Sequence, residues 1–383
     1  MKKVLNVGLD IGSTTIKIVV LENDNLIFSD YTRHNSDTKN TLYTVLESLI
    51  KKYPNSNFSI SLTGSGALDI SKVLELPFIQ EVIACKSAVE KFIPQTDVVI
   101  ELGGEDAKII YFDKFIEQRM NGTCAGGTGA FLDQMATLLN TDTDGLNELA
   151  KTYNTIYPIA SRCGVFAKTD IQPLLNEGAR KEDIAASIFQ AVVNQTISGL
   201  AQGRPIKGNI AFLGGPLNYL PELRKRFIET LHLTDDRIII PENAHLLVAT
   251  GAALASEESK PITTNVLKEK LKHLKKSKIS DSKSLDPLFN SPKEYDEFKE
   301  RHSKDKVKRA DLKDFSGNCY IGIDAGSTTT KVVLIDDNGA LLYSLYGSNE
   351  GNPLNSVINM LKELYKVIPE SCKIRFSRSY WIW

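Results

Sequence analysis

At 383 residues, with 42% hydrophobic and 24% charged side chains, the chain has the composition of a folded, water-soluble protein of two or three domains. Its 46 basic and 47 acidic residues leave a formal charge of -1, which excludes an electrostatic case for nucleic acid or an anionic membrane as the main partner. The start MKKVLNVGLD meets Asp10 before a long apolar run develops, so it does not read as a secretion signal, and AHLLVATGAALA is too short to span a bilayer. Five scattered cysteines without a CxxC do not form a disulfide framework. The expected location is the cytoplasm.

Residues 4–31 read as two or three strands, VLNVGLDI, TTIKIVVLE and NLIFSDYT, with turns at Gly12 and at Glu22 to Asn25. Apolar residues at 42, 45, 46, 49 and 50 then predict a helix, and a strand triplet followed by a helix opens a ribonuclease-H-like lobe. After the strand SISLTGSGA, the segment DVVIELGGEDAKIIYFD (97–113) repeats the theme of an apolar strand, an acidic residue, a glycine turn and a second strand. Two such lobes, about 1–94 and 95–258, face each other across a cleft. Helices dominate from 128, among them EDIAASIFQAVVNQTISGLAQG, whose apolar positions 184 to 200 make a broad buried face.

Residues 259–316 change to Lys, Asp, Glu, Ser and Pro, with the basic run KEKLKHLKKSK, and predict a solvated, partly helical connector. No aromatic residues interleave the lysines, which argues against a nucleic-acid surface. Residues 317–383 then restart the first motif: Gly322 to Val333 matches Gly8 to Val19 at eight of twelve positions, and one helix later the chain reads RFSRSYWIW. This is expected to be a truncated second copy that binds no nucleotide by itself.

Asp10-Ile-Gly-Ser-Thr-Thr-Ile-Lys17 carries the first chemistry. Asp10 can hold Mg²⁺ through water, Gly12 lets the backbone approach a phosphate, Ser13, Thr14 and Thr15 offer donors at a hairpin turn, and Lys17 reaches phosphate as a point charge. The Walker A spacing is absent, and Gly-Ser-Thr-Thr alone also suits a plain β-turn. A second acidic-glycine turn, Glu101-Leu-Gly-Gly-Glu-Asp106, raises the functional reading: Glu101 for metal or water, Gly103, Gly104 and Asp106 around the phosphates. Gly214 and Gly215, between a strand and a helix, leave flat backbone for an adenine ring. In this order the three turns resemble the phosphate-one, phosphate-two and adenosine segments of the actin, hexokinase and heat-shock chaperone superfamily, which makes ATP or ADP the expected ligand.

Cys85, Cys319 and Cys372 read as small buried hydrophobes. Cys124 and Cys163 sit in NGTCAGGTGAFLDQ and ASRCGVFAKTD, among glycines and just ahead of helices whose N-termini stabilise a thiolate. A [4Fe-4S] centre needs four thiolates, so two per chain suffice if two subunits meet on a twofold axis.

On Gly8 to Lys17, Gly103 to Lys108, the Cys124 and Cys163 segments and Gly214-Gly215, the sequence resembles the ATP-dependent activators of 2-hydroxyacyl-CoA dehydratases, of the BadF/BadG/BcrA/BcrD ATPase type, in its long two-unit form. The resemblance implies a homodimer sharing one [4Fe-4S] cluster on Cys124 and Cys163 of each subunit. Reduced ferredoxin or flavodoxin would be the donor. A dehydratase or reductase iron-sulfur protein, in trans or in a longer form of the chain, would be the acceptor. Where such activators show Asp-Ile-Gly-Gly-Gln-Asp, this chain has Glu101 and Glu105. The rival readings are a sugar or acid kinase of the same superfamily, and an inactive relic.

Overall fold

The computed structural model describes residues 3–113, 115–121, 126–160, 164–276, 285–326, 328–349 and 352–381. By contact the chain divides into Met1–Lys168 with Lys181–Ser280, and Thr169–Arg180 with Asp281–Trp383.

The first unit opens with β1 (Val4–Ile11), β2 (Thr15–Glu22), β3 (Asn25–Arg33), α1 (Thr38–Lys52), β4 (Asn57–Thr63), α2 (Ala67–Leu74) and α3 (Glu81–Phe92). It continues through β5 (Val98–Leu102), β6 (Ala107–Phe112), β7 (Ile116–Met120), α4 (Gly129–Leu138) and α5 (Thr143–Ala150); α6 (Gly164–Asn176) crosses the division. Then come α7 (Lys181–Thr196), β8 (Ile210–Leu213), α8 (Gly215–Tyr219), α9 (Pro221–Thr230), β9 (Ile238–Ile239), α10 (Leu247–Ala255), β10 (Ile262–Thr263) and α11 (Thr264–Lys276).

Two five-stranded sheets result, ordered β10-β4-β1-β2-β3 and β7-β6-β5-β8-β9. In each, a three-stranded antiparallel meander has its first strand paired in parallel with a later strand: β1 with β4, β5 with β8. This is the ribonuclease-H-like pattern twice over, and the unit has the actin and hexokinase type of ATPase fold. The predicted stripe of α1 is buried at all five positions, Leu42, Val45, Leu46, Leu49 and Ile50, against Leu5, Val7 and Leu9 of β1. Each such side chain contributes about 2 kcal/mol of burial. Asp37 caps the helix by accepting from Asn40 N, and Lys51 and Lys52 suit its negative end.

Between the sheets lies α10. It packs on β1 through Ala249 and Ala253 and on α3 through Gly251, where small residues let three backbones approach. Among the described residues, Lys181–Ala201 alone is long and apolar enough to cross a membrane, but 67% of its most apolar window is buried, with Ile188, Phe189 and Val192 in the core.

Two boundaries differ from the sequence reading. The connector expected from residue 259 instead begins as part of the first lobe: β10 pairs with β4, and Leu267, Leu271 and Leu274 of α11 are buried among Leu46, Leu49 and Ile70. The basic run has its lysines on the opposite face of an amphipathic helix. Helix α3, counted by sequence with the first lobe, shares its core with the second sheet, Ala84, Ala88 and Val89 packing with Val99, Ile110 and Ala211.

The second unit contains α12 (Pro292–Ser303), β11 (Gly317–Ala325), β12 (Thr329–Asp336), β13 (Leu341–Ser348), α13 (Pro353–Val367) and β14 (Cys372–Trp381). Its sheet, β13-β12-β11-β14, repeats the β3-β2-β1-β4 order with β14 parallel to β11. The tail takes the place of β4 because parallel pairing uses backbone groups that any extended segment supplies. A register shift at Cys319/Tyr320 accommodates the different sequence.

Candidate nucleotide-binding cleft

The first phosphate-type turn joins β1 to β2 and is closed by Gly12 N donating to Thr15 O at 3.0 Å. Antiparallel register sets Asp10 opposite Lys17, and the Lys17 Nζ lies 2.6 Å from Asp10 Oδ2. Asp10 is 1% exposed. Burial opposes the Lys17 charge, but the Asp10 carboxylate, with Glu101 behind it, outweighs this and raises the ammonium's proton affinity.

The second turn joins β5 to β6, closed by Gly103 N to Asp106 O at 2.8 Å, with Glu101 opposite Lys108. The turns of the two lobes touch: a Cβ on Gly104 would stand 2.1 Å from Thr14 Oγ1. The third turn follows β8. Gly214 has φ +87° and a Cβ there would lie 2.1 Å from Leu102 O, so only glycine fits. Gly215 presents its backbone to the Tyr31 hydroxyl.

These turns surround a cavity of about 310 Å³ lined by Thr14, Thr15, Lys17, Glu101, Gly103, Gly104, Gly214 and Gly215. Ser13 and Asp106 line instead a second chamber of about 480 Å³ on the other side of the turns, with Glu81 and Lys108. Asp10 and Gly12 line neither and shape the turn from behind. Cys124 and Cys163 lie outside the described residues, and among the described residues no group of His, Cys, Asp and Glu forms a metal site. Cys85 and Cys319 are buried in apolar clusters, where burial raises their thiols, in keeping with packing roles.

Several residues at the cleft or packed beside it had escaped the sequence reading. Tyr31, Tyr219 and His245 form an aromatic group beside Gly215, with centroids 5.1 to 5.8 Å apart. Arg33 of β3 reaches Asp133 of α4 at 2.8 Å, joining the two lobes at the cavity wall. Lys108 had a signal that was available: Asp10/Lys17, Glu101/Lys108 and Asp324/Lys331 share one seven-residue spacing. Helix α4 is tied to the second turn by its own backbone, Gly129 N donating to Gly103 O at 3.0 Å and Ala130 N to Gly104 O at 2.7 Å.

A sequence profile of the BadF/BadG/BcrA/BcrD ATPase family matches residues 7–256. The chain belongs to this family. Among its relatives, the 2-hydroxyisocaproyl-CoA dehydratase activator of Clostridioides difficile is 32% identical over 260 residues, 66% of this chain and 95% of the relative. The (R)-2-hydroxyglutaryl-CoA dehydratase activating ATPase of Acidaminococcus fermentans is 30% identical over 219 residues, 55% of this chain and 83% of the relative. The structure of the Clostridium difficile activator with bound ADPNP superimposes with a TM-score of 0.58 at 28% identity, covering 72% of this chain and 99% of that one. The BadF-type match takes in all three glycine turns and both cysteine segments of the first unit, and ends before α11 and the four-stranded sheet of the second unit.

Proposed function

We propose that the chain is an ATP-hydrolysing activator that passes an electron to a 2-hydroxyacyl-CoA dehydratase or a related reductase. The observation that carries this reading is the pair of hydrogen bonds from the first turn of α4 to Gly103 and Gly104. The phosphate turn cannot move without moving the helix that begins five residues after Cys124. Arg33 and Asp133 make a second link from lobe one to the same helix.

ATP is held in the cavity with Lys17 and the Thr14 and Thr15 donors on its phosphates and Gly214-Gly215 under the adenosine. A hydrated Mg²⁺ suits the donor set: Glu101 has a buried Oε2 without a hydrogen-bond partner, and Asp10 stands behind the opposite turn. The ion would neutralise charge on the phosphates. Glu101, raised by burial, orients the attacking water. Loss of the γ-phosphate releases the grip of the two turns, and the lobes reopen about their bridges.

The described flanks of the cysteine segments support a shared [4Fe-4S] site on Cys124 and Cys163 of two subunits. A Cβ on Gly164 would lie 3.2 Å from the Phe131 ring, so the starts of α6 and α4 adjoin. Val165 and Phe166 beside them are 72% and 64% exposed, an apolar surface suited to a second copy. Such a cluster supplies one-electron transfer at low potential.

Anaerobic purification, iron counting and an ATPase assay test the proposal. The expected product is brown, with about four irons per two chains. Cys124→Ser and Cys163→Ser are each expected to abolish the colour while ADP binding persists. Iron retained in both variants, or turnover that requires a sugar, refutes the electron-transfer reading. Tyr219→Ala is expected to weaken ADP about tenfold by removing an aromatic face from the base. Titration calorimetry showing unchanged affinity places the base elsewhere.

A further inference from the structure

Three hairpins in this chain set an acidic residue opposite a lysine. In two of them the pair closes, Asp10 with Lys17 at 2.6 Å and Asp324 with Lys331 at 3.0 Å. In the third, register again opposes Glu101 and Lys108, but the Lys108 ammonium bonds Glu81 Oε1 at 2.5 Å and Asp106 Oδ2 at 2.7 Å, and among the described residues no ion pair closes on Glu101, whose charge acts on the ammonium only from beyond contact distance. The competing carboxylate is the first residue of α3, delivered to the chamber behind the turns. Glu101 is left 6% exposed, with Oε2 unpartnered.

We infer that Glu81 is a positioning residue for hydrolysis, holding Lys108 off Glu101 so that the Glu101 carboxylate stays available to the cleft. The inference rests on the role of Glu101 proposed above. Glu81 itself lines only the second chamber and touches no part of the nucleotide cavity, so it acts through Lys108. The side chain of Lys108 is 4% exposed, and a buried ammonium takes the carboxylates within reach in preference to none. With Glu81 removed, Lys108 keeps Asp106 at 2.7 Å, and the N–H that Glu81 had taken turns to the cross-strand carboxylate of Glu101, the partner that the other two hairpins show a lysine choosing. Closure of that pair consumes the oxygen that Glu101 offers to water or metal.

The test uses the full chain, with ATPase assays at about pH 8 and ADP binding as the check on folding. Glu81→Gln is expected to lower kcat about tenfold or more while the KM for ATP stays within about twofold, because the phosphate turns are untouched. Adding Lys108→Met is expected to restore kcat to within about threefold of the parent, since no lysine remains to occupy Glu101. A purely structural role for Glu81 gives no such rescue. Parental turnover in Glu81→Gln, or a double variant no faster than the single, overturns the inference. Should Glu81→Gln fail to bind ADP, Lys108→Met alone decides: turnover within about threefold of the parent supports the inference, and a loss of tenfold or more overturns it. Glu101→Gln separates the two levels. If it abolishes turnover while Glu81→Gln does not, the positioning role alone fails; if it turns over normally, the reading of Glu101 fails as well.

Discussion

Gly8→Val is expected to destabilise the first unit by roughly 3 kcal/mol or more, the upper range for overpacking a core. A Cβ at this position would stand 1.9 Å from Ala249 O and 2.4 Å from Ala253 N, both backbone atoms of α10. A helix cannot give way locally at its backbone, and α10 has no room to retreat: on its far side a Cβ at Gly251 would lie 1.7 Å from Ala84 O of α3. The repeat supplies its own control. Gly322 occupies the same place in the second copy of the motif, yet among the described residues the one atom within 4 Å of a Cβ there is Val333 Cγ2, at 3.0 Å. Gly322→Val is expected to cost less than about 1 kcal/mol, because a valine side chain can shift and a strand favours β-branched residues. Urea unfolding of both variants against the parent measures this. Equal losses in the two would mean that α10 does not press on β1 as described.

Lys17→Met is expected to reduce ATP hydrolysis about a hundredfold and to cost about 3–5 kcal/mol in stability. The two effects have separate origins. On the function proposed above, activity falls because the cavity loses the lysine at its wall that would meet developing charge on the phosphates. Stability falls because the buried Asp10 carboxylate, 1% exposed, loses the ammonium that partners it at 2.6 Å. Asp10→Asn added to Lys17→Met is therefore expected to recover stability and not turnover. The sign of the pH dependence follows from the raised proton affinity of Lys17. The contribution of the pair is fully present below the unfolded lysine pKa of about 10.4 and is lost only as pH rises through the higher folded value, so the deficit should match at about pH 6 and pH 9. Stability like the parent's in Lys17→Met, by thermal unfolding at both pH values, contradicts the pairing.

Much of this protein could be read along the chain. The doubled Asp-x-Gly-Ser-Thr-Thr-x-Lys motif, the stripe of α1 and the buried face of α7 are local periodicities, and local periodicity is written wherever one face of an element must leave water. The three glycine turns were equally legible, because glycine after an apolar strand marks a close approach whatever stands on the other side. The fate of 259–276 was harder. Lysine density suggested a solvated connector, although Leu267, Leu271 and Leu274 keep helical spacing, and charge on one face says nothing about what the other face meets.

Tertiary structure alone decided which partner each charge took. Sequence spacing sets Glu101 opposite Lys108 just as it sets Asp10 opposite Lys17, but the outcome differs because Glu81 arrives from a helix twenty residues upstream. The same holds for the bonds from α4 to Gly103 and Gly104, and for Tyr31 and Tyr219, which meet at the wall of one cavity with His245 packed against both rings. Pattern along a chain fixes which side of an element is apolar; pairing of buried polar groups depends on which elements converge, and that is settled only when the cores of the two lobes are packed.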